Sequence, residues 1–176
     1  MKKNLSKTQR LAIDGILAAL AVILGFLSIR IGNIMKVSLE DLPVIFAALL
    51  FGPIDGGAVA LVGIFLYQLF SFGITLTTAL WILPFVLAGL IVGLFAKKAE
   101  FNNSGKQILV LFLLAEILIW AVNSFAIYAD SKIYGYYYPT IVTGMLLIRL
   151  LTAVIKGVVL GLISPSVLKM LARVHL

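Results

Sequence analysis

Three ionisable side chains, Glu116, Arg149 and Lys156, stand deep inside long apolar runs. A charge in such a run is costly and faces either a partner or a wet cavity, so each is a candidate for ligand contact or for pairing. On helices entered near residues 107 and 140 and running in opposite directions, Glu116 and Arg149 each lie about 14 Å in. In a hydrocarbon core of about 30 Å these depths nearly coincide, so a Glu116–Arg149 ion pair is expected, architectural or functional. Lys156 falls about 10 Å deeper along the same helix, where it can snorkel toward head groups.

Uncharged candidates stand at a similar height. Gln68, Asn123 and Trp81 lie near the same end of their helices, with Thr77 in the polar hairpin beside them. Amides in an apolar wall need partners, and an indole offers its face to a flat heteroaromatic. Two roles stay open: ligand contacts, or helix-linking amides with a Trp of the interfacial belt. Arg30 and Lys36, just beyond the first helix, could receive an anionic ligand at a cavity mouth or meet lipid head groups.

Catalytic chemistry lacks its parts. Cysteine is absent and the single histidine is the penultimate residue, His175. No His-based triad and no thiolate or imidazole metal set can be assembled inside the chain, and Asp14, Asp55 and Asp130 fall near ends or loops rather than as a buried pair. An intramembrane enzyme is thus the weaker alternative. There is no GxxxxGK[ST] phosphate loop and no evident two-fold repeat, so the chain can bind but carries no energy source of its own. No metal and no cofactor is expected.

The elements that must position these residues follow from composition. With 62% hydrophobic and 12% charged residues over 176 positions and a mean hydropathy of +1.17, the chain is an integral membrane protein. It forms one all-α domain, 1–176, a bundle of six transmembrane helices near 11–29, 41–51, 57–70, 79–95, 107–128 and 140–163. The second is short, closed by Gly52-Pro53, which cannot continue a helix. Asp55-Gly56-Gly57 connects it to the third, and Pro84 is expected to kink the fourth.

The formal charge of +7 sits at helix ends, a topology signal rather than a nucleic-acid face. Lys2, Lys3, Lys7, Arg10, Lys97, Lys98, Lys106, Lys169 and Arg173 outnumber Arg30, Lys36 and Lys132, which places both termini on the cytoplasmic side of the cell membrane. The loops 30–40, 71–78 and 130–139 then face outward together. Tyr134, Tyr136, Tyr137 and Tyr138 would form an interfacial belt.

The basic N-terminus, the small-residue run Gly15-Ile16-Leu17-Ala18-Ala19-Leu20-Ala21, the short run 42–53 ending in Phe51-Gly52-Pro53 with Gly56-Gly57 after it, and 90–95 before Lys97-Lys98 resemble the S components of energy-coupling factor (ECF) vitamin transporters. The resemblance covers nearly the whole chain. The Thr-rich loop 73–78 ahead of Trp81-Ile82-Leu83-Pro84, and the Tyr-rich loop after helix five, are most similar to the folate-specific S component. The resemblance implies a six-helix subunit that binds a vitamin from outside and docks on a transmembrane T component carrying two cytoplasmic ATPases. The family's small-residue docking face falls on Gly15 and Ala19, with glycine in place of its first alanine and Ala18 beside them. Folate as ligand implies amides and Trp81 for the pterin, and Arg30, Lys36 or Arg149 for the carboxylates. Pantothenate and riboflavin are the alternative cargoes.

Overall fold

The computed structural model describes residues 6–31, 35–100, 104–137, 139 and 143–173. Among these residues six helices carry the fold: α1 (Lys7–Phe26), α2 (Asp41–Phe51), α3 (Pro53–Phe72), α4 (Thr78–Lys98), α5 (Gly105–Ile133) and α6 (Leu146–Arg173). All but α2 are long and apolar enough to cross a membrane. At 11 residues, α2 covers only about 17 Å. Nearly all of it is buried, as suits a helix apolar on every side, and it packs between α3, α4 and α1.

Two helices open with reciprocal caps. Ser6 Oγ accepts from Gln9 N (3.2 Å) while Gln9 Oε1 accepts from Ser6 N (2.9 Å). Ser104 and Gln107 repeat the arrangement ahead of α5, at 3.3 and 2.7 Å. Each cap satisfies two amides that the first turn leaves unpaired, and the first one starts α1 four residues earlier than apolarity alone indicates.

Several expected boundaries change. The first helix stops at Phe26 rather than 29, because Ile29–Ile31 (β1) pairs antiparallel with Met35–Val37 (β2), Arg30 opposite Lys36. The all-α bundle therefore carries a small two-stranded ribbon where a polar loop was expected. Asp55-Gly56-Gly57 is not a connector: Pro53 occupies the first turn of α3, where its missing N–H costs nothing. The glycines are needed there for contact. A Cβ on Gly56 would stand 2.6 Å from the Ala48 Cβ, and one on Gly89 would stand 2.6 Å from the Gly56 carbonyl carbon, so α2, α3 and α4 meet backbone to backbone. Gly52 itself has φ 105°, a conformation that glycine adopts without penalty.

Helix α4 continues through Pro84 and α6 through Pro165. The stretch 140–142, the expected start of the last helix, lies outside the described residues; α6 is described from Leu146. It packs along α5 through Gly157 and Gly161, where added Cβ atoms would come within 3.2 Å of Leu113 Cα and 2.9 Å of Leu109 Cα. This is close packing of the small-xxx-small kind, placed on α6 as well as on α1.

Candidate functional site: a cavity between the helix ends

A cavity of about 660 Å³ opens where α1, α3 and α5 end and α2, α4 and α6 begin. Its size falls within the range of small-molecule sites, about 300–1,000 Å³. Gln68, Thr77, Trp81, Asn123 and Arg149 all line it. Arg30 and Lys36 sit opposite each other in the ribbon, and their side chains lie outside the described residues.

The deep wall holds a charge cluster. Lys156 Nζ stands 2.8 Å from Asp41 Oδ1 and 3.0 Å from Glu116 Oε1, and it donates to the Ser38 carbonyl at 3.1 Å. Asp41 is fully buried and Glu116 nearly so. The ammonium thus binds α2, α5, α6 and the ribbon's exit strand at one point. Two carboxylates share one cation, and a charge out of water requires such partners.

The expected Glu116–Arg149 pair is not formed. Gly157 packs on Leu113 and on the Glu116 Cγ, which places its neighbour Lys156 beside Glu116. Starting α6 at Leu146 puts Arg149 in the first turn, about 10 Å nearer the mouth than Lys156. Lys156 is consequently a buried partner and not a snorkelling residue. Arg149, half-buried on the cavity wall, has no ion-pair or hydrogen-bond partner for its guanidinium among the described residues.

Asp130 organises the mouth. It was expected near a loop, yet it is buried within α5 and gathers three donors: the Thr77 hydroxyl, the Tyr136 phenol and Trp81 Nε1, the last at 3.4 Å. The start of α4 and the segment after α5 are therefore tied to one carboxylate. Burial, and then the bond to Asp130, push the Tyr136 phenol above its ordinary range, so it stays a donor. Tyr137 packs edge-on against Tyr128, with ring centroids 5.6 Å apart, and carries Lys132 Nζ 3.8 Å from its ring centre, a cation–π contact. Tyr134 lines the cavity. Instead of a plain belt, these tyrosines pin the outer segment to α5; Tyr138 lies outside the described residues.

Asn123, two turns from Glu116 on α5, has a buried Oδ1 with no hydrogen-bond partner among the described residues. Trp120 donates to the Leu146 carbonyl at 3.1 Å, so both tryptophans, which line the cavity, spend their N–H on the protein. Sequence reasoning missed Glu40, Asp130, Trp120 and the Asp41–Glu116–Lys156 cluster as parts of one site. The α5 pattern Glu116, Ile119, Trp120, Asn123, Ile127, Asp130 at helical spacing was the available signal.

At the opposite end, Arg10 pairs with Asp55 and donates to the Phe51 carbonyl at 2.6 Å, joining α1 to α3. Gly15 and Ala19 lie on the exposed face of α1; nothing stands within 4 Å of a Cβ added to Gly15. Ala18 instead is buried against Gly63 of α3, so the free small-residue surface comprises Gly15 and Ala19 without it.

Residues 9–168 match the model of the family described as ECF transporter, substrate-specific component. The chain belongs to this family: it is a membrane-embedded, substrate-specific transporter component rather than an enzyme. Among solved structures it is similar to the S component for biotin from an ECF-type ABC transporter, at 20% identity and a TM-score of 0.69, with 96% of this chain and 95% of that one covered. It is also similar to the S component of a bacterial ECF transporter, at 26% identity and a TM-score of 0.67, covering 97% and 99%. No curated protein matches it in sequence.

Proposed function

We propose that the chain captures folate in this cavity, open to the outside of the cell membrane, for ATP-driven import. The observation that carries the reading is Arg149. A half-buried guanidinium on a cavity wall, without an acid among the described residues, has an unmet requirement for an anion, and bidentate charge-assisted bonds to a carboxylate meet it best. The same lining offers Asn123 Oδ1, an acceptor without a hydrogen-bond partner among the described residues, together with the rings of Trp81 and Trp120, which suits a flat ring with N–H donors. A ligand that joins a donor-bearing ring to carboxylates fits that lining; pterin and glutamate are such a pair.

In this reading both termini are cytoplasmic, the exposed Gly15–Ala19 face of α1 meets a transmembrane T component, and two cytoplasmic ATPases supply the energy that the chain lacks. The ribbon and the Ser71–Thr78 segment form the gate. Native mass spectrometry of protein purified from rich medium tests the cargo. A retained folate supports the proposal; a retained riboflavin, pantothenate or other mass refutes folate.

A further inference from the structure

We infer that the end of the bundle opposite the cavity carries a binding site for an anionic glycerophospholipid, in the groove between the end of α4 and the start of α5. The groove has a volume of about 500 Å³ and is lined by Phe95, Lys98, Lys106, Gln107, Val110 and Leu111, with Ala99 at the turn. It is independent of the cargo cavity and shares no residue with it.

The lining is polar at one level and apolar at the next, as one lipid requires. Lys98 closes α4, and Phe95 lies one turn back toward the membrane centre. Lys106 and Gln107 open α5, and Val110 and Leu111 lie one turn on. The two ammonium groups therefore share the boundary level with the first turn of α5, while the apolar side chains continue inward. Phe95 and Val110 are 49% and 61% exposed, and Leu94 and Leu114 extend the same exposed apolar surface, along which acyl chains can lie.

The charge is free to act on a ligand. Among the described residues neither Lys98 nor Lys106 has an ion-pair partner, and no acidic residue lines the groove. Gln107 spends its Oε1 on the Ser104 amide, which leaves its NH₂ as a further donor. Basic pockets between membrane helices hold anionic head groups, each lysine near the surface adding about 1 kcal/mol. The phosphate accepts from the lysines, and the acyl chains cover the apolar wall; a zwitterionic lipid satisfies only the second part.

The test is native mass spectrometry of the full chain, released from detergent containing equal amounts of phosphatidylglycerol and phosphatidylcholine with identical acyl chains. Wild type is expected to retain phosphatidylglycerol in preference to phosphatidylcholine. Lys98→Gln/Lys106→Gln should lower phosphatidylglycerol occupancy by about 30-fold, from two lysines at about fivefold each, while phosphatidylcholine adducts stay unchanged. A comparison pair, Lys97→Gln/Lys169→Gln, removes the same charge from exposed positions outside the groove and should leave the preference intact. The proposal is overturned if wild type shows no preference, if the groove pair keeps it, or if the comparison pair loses as much. All four lysines are exposed, so the variants fold, and an unchanged melting curve checks this.

Discussion

Replacing Lys156 by methionine removes the cation from a cluster in which Asp41 is 0% and Glu116 2% exposed. The methionine fills a similar volume, so the perturbation is electrostatic rather than a cavity. Two buried carboxylates then face each other without their ammonium. Removing one member of a buried ion pair costs about 3–5 kcal/mol, most of it the penalty on the charge left behind. For a chain of this length about 1 kcal/mol lowers the melting temperature by roughly 2–4 °C, so Lys156→Met should lower it by roughly 10 °C. Intrinsic fluorescence during heating of the detergent-purified protein reads this directly. The triple variant Asp41→Asn/Glu116→Gln/Lys156→Met should recover most of the loss, because no charge remains buried in the cluster. A single variant within about 3 °C of wild type would show that the ammonium is not what holds these helices together. A triple variant no better than the single one would refute the electrostatic cause.

Arg149→Met should leave the melting temperature unchanged, since no partner among the described residues is lost, while weakening folic acid binding by about 10- to 100-fold, the worth of a charge-assisted hydrogen bond; fluorescence during heating reads the first and titration by tryptophan quenching the second. Asp130→Asn weakens the acceptor for Thr77, Trp81 and Tyr136 together and should cost about 1–3 kcal/mol, with faster proteolysis between α5 and α6 as the local readout. Gly161→Leu forces α5 and α6 apart at Leu109 and should abolish a monodisperse folded fraction in size-exclusion chromatography. Ala19→Trp, on the exposed face of α1, should abolish cellular uptake and leave ligand binding by the isolated subunit intact; unchanged uptake would reject that face as the docking surface.

The sequence by itself determined the solvent, the helical class of the fold and the end of the bundle at which polar residues collect. These follow from local quantities: apolar run length, the Gly52-Pro53 break and the positions of Lys and Arg. It also placed Gln68, Trp81 and Asn123 at one height, with Thr77 in the hairpin beside them, and all four line the cavity, as does Arg149. Only the tertiary structure decided which charges meet. A start of α6 at 140 pairs Arg149 with Glu116; the register set by Gly157 against Leu113 and Glu116 gives Glu116 to Lys156 and leaves Arg149 without a partner among the described residues. Asp41 and Asp130 look like end residues in the sequence because burial depends on what neighbouring helices cover. Depth along one helix is a property of the chain, but rotation and sliding between helices are fixed by side-chain packing between distant segments, and a few ångströms of sliding are enough to exchange one ion-pair partner for another.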